Sequence, residues 1–335
     1  MARERGNGEE RGTCSGARGE GRGTETEKGV AGWEVFSAGN FRRKRKRTFQ
    51  LGPGLHAAGV AALRRGFSTL GCPDLSLEEV LELGRRFSLE AVELRSLAGT
   101  TDLPTHFAAQ YGSPEALAEH LAGRRPAVKA GGAADPRIVA LGTSFRLVGA
   151  GPGDRDALLA QALWADGLGV PWLRVFDGGR DADAGELAEA AAALAWWREE
   201  RRRRGWAVDL MVETHDSFLD SVRLARAAER LPGLGILWDA HHTWRKGGED
   251  PLATWAAIGP RVVHVHVKDS IAVPSGRHPF TYVLPGRGDF PMGPLGETLR
   301  RAAFAGVVSL EWERLWHPYL PPLEDALEAA RTWLV

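Results

Sequence analysis

Beyond residue 66 the chain alternates short apolar runs with amphipathic stretches. The runs are FSTLG (Phe67–Gly71), LEAVELR (Leu89–Arg95), RIVALGTSF (Arg137–Phe145), PWLRVF (Pro171–Phe176), AVDLMVE (Ala207–Glu213), LGILWD (Leu234–Asp239), VVHVHVKDS (Val262–Ser270) and VVSLEWE (Val307–Glu313). Each is rich in Val, Leu and Ile and stops at turn residues, which predicts strands. The stretches between them carry helix signals. Ser76 and Glu79 have the spacing of a capping box, and Ser113 precedes a proline at the first turn of a helix running to Gly123. Further helices are predicted over GDRDALLAQALWADGLG, AGELAEAAAALAWWREERRRRG, Phe218–Arg230, Pro251–Ile258, PLGETLRRAAFAG and Leu323–Trp333. Strands that are apolar on both faces are parallel strands. Eight strand–helix units over residues 67–335 predict a (β/α)8 barrel. A doubly wound sheet is the alternative, but GAGPGD (Gly149–Asp154) lacks the G-x-G-x-x-G spacing of its phosphate turn. The long connection GRRPAVKAGGAADP (Gly123–Pro136) fits the barrel least well.

Composition changes this picture at one end only. The first fifty residues are rich in Gly, Arg and Glu and include FRRKRKR (Phe41–Arg47), with too few apolar residues for a core. They predict a disordered extension over residues 1–60 and a barrel from residue 67, with a short helix around Ala57–Arg65 between them. The chain as a whole has 43 basic and 43 acidic residues, so no net field favours nucleic acid or membrane as a partner. Two cysteines, Cys14 and Cys72, make no disulfide framework, and a reducing, cytoplasmic setting is expected. No apolar run reaches the roughly 20 residues of a membrane span.

Barrel sites lie at the C-terminal ends of the strands, and there the last four runs are polar. The fifth ends in Glu213, the sixth in Asp239, the seventh carries His264, His266 and Lys268 on one face, and the eighth carries Glu311 and Glu313. Taken singly, Asp239 reads as a helix N-cap and each histidine as a structural group. Four consecutive strands with oxygen and imidazole donors at one end suit a divalent ion: Mn²⁺ first, with Mg²⁺, Co²⁺ or Zn²⁺ as alternatives. Arg174, at the end of the fourth strand, suits a substrate oxygen or carboxylate, or a pair with Glu213 or Glu93.

The segments VETHDS, WDAHHTW, HVHVKDS and VSLEWE resemble the last four strands of the xylose isomerase-like barrels. FSTLGCPDLSLEEVLEL, EAVELR and WLRVFDGG resemble the first, second and fourth. The resemblance implies metal ligands at Glu213, Asp239, His266 and Glu311, with His264 packing on His266 or supporting it from a deeper layer. It implies that His242 contacts substrate, and Lys268, at the rim with Asp269, is expected to bind substrate as well. It also places Glu213 and Glu311 on opposite sides of the ion, as the acid and base that move a proton beside a carbonyl. The ion would act as a Lewis acid on an enediolate.

Isomerisation or epimerisation of a sugar or sugar phosphate is the implied reaction. An inosose dehydratase-like lyase is a second, because the H-x-K-D form at His266–Asp269 departs from the ketose 3-epimerase pattern. A metal- or sugar-binding barrel without turnover is a third. The expected partner is a small sugar or polyol, with a homodimer as the oligomer allowed and no nucleic acid or membrane. The long stretch Ser270–Met292, containing PGRGDF, reads as a binding loop. Trp238, Trp244, Trp312 and Trp316 fall near the same rim, half of them expected in the core.

Overall fold

A computed structural model describes residues 62–124 and 134–332. The extension expected over residues 1–60, the middle of the Gly123–Pro136 connection and Trp333 lie outside them. Eight parallel strands close into a barrel. In chain order they are β1 (Arg64–Ser68), β2 (Ala91–Leu94), β3 (Arg137–Arg146), β4 (Trp172–Phe176), β5 (Asp209–Glu213), β6 (Gly235–Asp239) and β7 (Val262–Val267). A short antiparallel hairpin, β8 (Asp269–Ile271) and β9 (Thr281–Val283), then intervenes before the closing strand β10 (Val307–Leu310). Around the barrel the order is β1-β10-β7-β6-β5-β4-β3-β2. The doubly wound alternative is thereby excluded.

The outward faces of the strands carry Val92, Leu94, Leu173, Val175, Leu210, Val212, Ile236, Val265, Val267, Val308 and Leu310, all buried in one core beneath the helices. The inward faces carry smaller separate clusters, Ala91 with Val139 and Val307, and Ala140 with Met211 and Leu237. Alternation along each strand then puts the next inward residues, Glu93, Arg174, Glu213, Asp239 and His266, above these layers at the C-terminal end. The interior below them is filled rather than open, as expected of this barrel.

The helices are α1 (Leu77–Arg86), α2 (Leu103–Tyr111), α3 (Pro114–Gly123), α4 (Pro152–Gly167), α5 (Ala184–Arg204), α6 (Ser221–Arg230), α7 (Ala240–Arg245), α8 (Pro251–Ile258), α9 (Met292–Arg301) and α10 (Leu323–Ala330). The capping box of α1 is present, Ser76 Oγ accepting from Glu79 N–H and Glu79 reaching back to Ser76 N–H. No helix among the described residues is long and apolar enough to cross a membrane.

Several boundaries and short elements differ from expectation, α7 and the β8–β9 hairpin among them. β1 begins at Arg64, so Arg64 and Arg65 are strand rather than helix: Arg65 pairs with Val308 of β10. α2 was not foreseen, although Asp102 caps it and Pro104 sits in its first turn. β10 ends at Leu310, and Glu311 follows it, its N–H still donating to Val267 O at 3.1 Å.

Candidate metal centre

Glu213 ends β5, Asp239 ends β6, His266 lies near the end of β7 and Glu311 follows β10. Register fixes their meeting. Asp239 pairs with His266, while Glu213 pairs with Leu237 and His266 with Ser309, each two residues before the next donor, so the four follow one another around the tilted strands. One donor atom from each of the four lies within 4.8 Å of the others, an arrangement that could hold a metal ion. The four are almost fully buried.

Ion-pair contacts without well-formed hydrogen bonds mark the same place. Glu213 Oε2, Asp239 Oδ2 and His266 Nδ1 are buried with no hydrogen bond of good geometry, and their nearest partners are Arg174 Nε at 3.3 Å, Lys268 Nζ at 2.7 Å and Glu311 Oε1 at 3.3 Å. Buried polar atoms are nearly always satisfied in folded proteins. A cation among them would satisfy the oxygens, and the donor set of three carboxylates and one imidazole suits a divalent ion. The residues therefore fit the group.

The two oxygens of Asp239 divide two roles. Oδ1 accepts the His242 N–H at 2.9 Å and caps α7, while Oδ2 faces the cluster. Burial pushes this carboxyl up to about 6 despite the opposing charge of Lys268. Burial would also raise Glu311, but His266 and Lys268 outweigh it and hold Glu311 well below the usual carboxylate range. His266 is raised well above an ordinary histidine against the effect of burial, by Glu311 and Glu93. Its Nδ1 lies 3.3 Å from Glu311 Oε1 and 3.9 Å from Glu213 Oε1, and its Nε2 lies 2.7 Å from Glu93 Oε1. Glu93 is thus the group behind His266. His264, expected to pack on His266 or support it, lies with its ring edge-on against His266, and its Nε2 contacts Ser309 Oγ at 2.8 Å.

Lys268 is also displaced from expectation. It is 1 % exposed rather than at the rim, and its Nζ pairs with Asp239 at 2.7 Å, with Glu311, and with Glu313 at 2.5 Å. Asp269 is fully buried too. Its carboxylate accepts the backbone N–H groups of Ser270, Gly286, Gly288 and Phe290, fastening PGRGDF beside the site. A Cβ on Gly288 would come within 2.2 Å of Asp269 Oδ1, which is why glycine stands there.

Above the cluster opens a cavity of about 380 Å³, lined by Glu213, Glu311, Glu313, His215, His242 and Trp316 on one side. Arg95, Arg146, Arg174, Ser144, Phe176 and Leu70 complete its wall. His242 is held by Thr214 O at 3.0 Å from Nδ1, and burial, then the Lys268 charge, pushes it well below an ordinary histidine, so it is neutral. Arg174 Nε lies 3.3 Å from Glu213 Oε2 and its Nη1 donates to Thr143 O, so the partner among the alternatives is Glu213, not Glu93. Its guanidinium stacks over Phe176. Of the four tryptophans near the rim, Trp238 and Trp312 are core, Trp244 packs beside Phe290, and Trp316 faces the cavity.

A family model described as xylose isomerase-like TIM barrel matches residues 154–335. The chain belongs to the xylose isomerase-like TIM barrel family. Among solved structures it resembles the probable 3-DHS dehydratase AsbF from Bacillus anthracis, at 16% identity and TM-score 0.63, over 81% of this chain and 98% of that one. It resembles the IOLI protein with a bound zinc atom at 17% identity and TM-score 0.60, over 81% and 96%. It also resembles D-psicose 3-epimerase, solved in the presence of D-fructose, at 13% identity and TM-score 0.55, over 81% and 99%. At these identities the likeness shows the fold. No curated protein matches the chain.

Sequence reasoning missed three features of this site. Glu93 was available, as the inward residue next to the end of β2, but a single acid in an early strand carries no pattern. Arg95 ends the second predicted strand and Arg146 lies just past the third, and neither carries a pattern in the sequence. The meeting of Arg95 with Arg174 depends on Gly142, where a Cβ would lie 2.7 Å from Arg95 Cδ and 3.0 Å from Arg174 Nη2. The two side chains share the space that a larger residue would occupy.

Proposed function

We propose that the protein is a divalent-metal-dependent isomerase or epimerase of a sugar or sugar phosphate. The observation that carries this reading is that Glu213 and Glu311 both belong to the four-residue cluster and both line the cavity. Glu213, Asp239, His266 and Glu311 would hold the ion, with Mn²⁺ the first choice, and the ion supplies Lewis acidity toward a carbonyl oxygen. The chain's own residues do the rest. Glu213, held by Arg174, and Glu311, held by Lys268, are two carboxylates with separate cationic partners. One takes a proton from the carbon beside the carbonyl and the other returns one. Return to the opposite face of the same carbon is epimerisation, and return to the neighbouring carbon is isomerisation. Neutral His242 offers a ring edge to a substrate hydroxyl, and Trp316 covers an apolar sugar face. The epimerase and dehydratase among the structural neighbours support carbohydrate chemistry of this kind. Dehydration is the second reading. Lys268, buried among Asp239, Glu311 and Glu313, places a cation beside the same carboxylates, where a departing hydroxyl would need a proton.

Incubation of the Mn²⁺-loaded protein with ketoses, aldoses and their phosphates in D₂O tests the reading. Proton resonance should show loss of a signal at the carbon next to the carbonyl. Glu311→Gln should slow that loss by about 10²–10⁴-fold, and excess Mn²⁺ should not restore it. Accumulation of an unsaturated ketone would favour dehydration. Absence of both signals across the panel, with sugar binding retained, would reduce the protein to a binding barrel.

A further inference from the structure

The cavity has a second polar wall that proton transfer does not use. β2 and β3 lie across the barrel from β6 and β7. Arg95 follows β2, and Ser144 and Arg146 lie two residues apart on β3, facing the same way. All three line the cavity that Glu213 and Glu311 line. Arg174 sits in the same wall, but its guanidinium is engaged by Glu213, Thr143 O and the Phe176 ring.

Arg95 is engaged differently. It is only 8 % exposed, and its Nη2 donates to the neutral Ser144 Oγ at 2.9 Å. Among the described residues no carboxylate lies within ion-pair distance of it, and Glu213 and Glu311 act on it only from further away. A buried charge without a charged partner is costly, and this one has a second guanidinium as a close neighbour across Gly142. Burial and the Arg174 charge together press the Arg95 guanidinium down to about 10. Arg146, at the exposed end of β3, likewise has no carboxylate within ion-pair distance among the described residues, and Asp216, which feels its charge, is held by His215 and the Gly178 N–H. Guanidinium groups present paired donors matched in geometry to carboxylate and phosphate oxygens.

We infer that Arg95, Ser144 and Arg146 form an oxyanion subsite, so that the substrate carries a carboxylate or phosphate group. The inference rests on the proposed reading of the site as one for a small carbohydrate, and it narrows that class to sugar acids or sugar phosphates. A neutral ketose would leave Arg95 buried without a charged partner. An anionic one would place its charged end on β2 and β3 and its carbonyl end over the cluster opposite.

The test is calorimetric titration of the full-length, Mn²⁺-loaded protein with inorganic phosphate, D-gluconate and neutral sorbitol. At least one anion should bind at least tenfold more tightly than sorbitol. Arg146→Gln, a change at an exposed position, should weaken that anion about tenfold or more, and Arg95→Gln should weaken it further. Neither change should alter the Mn²⁺ content, and any loss of sorbitol binding should be much smaller than the loss of anion binding. If Arg95→Gln does not fold, Ser144→Val together with Arg146→Gln carries the test. Preference for phosphate points to a phosphate ester and preference for gluconate to a sugar acid. Equal binding of all three probes, or anion binding that the arginine changes leave intact, overturns the subsite. The two readings also fail separately. Proton exchange on neutral sugars without any anion binding overturns the subsite and leaves the chemistry. Anion binding lost on Arg146→Gln, with no exchange on any sugar, supports the subsite and overturns the chemistry.

Discussion

The two halves of the barrel mouth differ in charge and in how each is held. β5, β6, β7 and the residue after β10 supply Glu213, Asp239, His266 and Glu311. β2, β3 and β4 supply Arg95, Ser144, Arg146 and Arg174. The first half is a knot of acids tied internally by Lys268 and His266. The second is a row of guanidinium groups of which, among the described residues, only Arg174 has an acid partner, and that partner, Glu213, belongs to the other half. A small molecule in the cavity would therefore meet the carboxylate cluster at one end and the guanidinium wall at the other. The Arg174–Glu213 pair is the seam between them.

Removing the acid half gives the largest effect. Asp239→Ala takes one proposed ligand from the cluster and also the N-cap of α7. It should abolish stoichiometric Mn²⁺ binding, measured by metal analysis after gel filtration, while far-UV circular dichroism stays close to that of the parent. His266→Ala should do the same. Retention of one equivalent by either variant at parent affinity would remove that residue from the ligand set. Phosphate binding on the opposite wall should survive both changes, which would show the halves to be separable.

Cutting the seam comes next. Arg174→Met leaves Glu213 buried without its cation, and breaking a buried pair from one side typically destabilises by about 3–5 kcal/mol. Denaturant unfolding of the metal-free protein should show a loss of that order. Saturating Mn²⁺ should recover part of it, because Glu213 would then have another cation. A loss of the same size with and without Mn²⁺ would mean that Glu213 does not face the ion.

The acid half was the more legible in sequence, for a physical reason. Strand alternation and the rule that barrel sites sit at strand C-termini turn Glu213, Asp239, His266 and Glu311 into a pattern. The family model begins at residue 154, within α4, and so takes in that half and β4 but neither β2 nor β3. Arg95 and Arg146 escaped because a lone arginine in a strand looks the same whether it pairs with an acid or waits for a ligand. Only the positions of its neighbours distinguish the two. Lys268 was misplaced for a related reason. Its face on β7 was read correctly, but its depth depended on the β8–β9 hairpin and on Glu313 and Tyr282, which close over it. Loop conformation of that kind has no periodicity to read.

The hairpin loop offers a smaller test, confined to the acid half. Asp269→Ala deletes the acceptor for four backbone N–H groups, and leaving buried donors unsatisfied costs about 1–3 kcal/mol each unless water reaches them. The amides of Gly286 and Gly288 should exchange with solvent much faster, while amides of β2 and β3 keep their protection. Unchanged exchange at Gly286 and Gly288 would mean that the loop is held by something other than this carboxylate.

The smallest expected effect is at Glu313, and it tests the assignment of depth along the strand end. Glu313 and Glu311 face the same cavity and share Lys268, so chemistry alone does not tell them apart. Position does. Glu311 Oε1 lies 3.3 Å from His266 and belongs to the four-donor cluster, whereas Glu313 is one alternation further out, is 14% exposed, and is held by Lys268 and the Tyr282 hydroxyl. In Glu313→Gln the amide oxygen still accepts from Tyr282, and Lys268 keeps Asp239 and Glu311. Proton exchange should therefore fall by no more than about threefold, against the about 10²–10⁴-fold loss expected of Glu311→Gln. The reverse order would assign the proton-transfer role to the outer residue. It would also move the proposed ligand set outward by two positions on that strand end, away from His266 and toward the guanidinium wall.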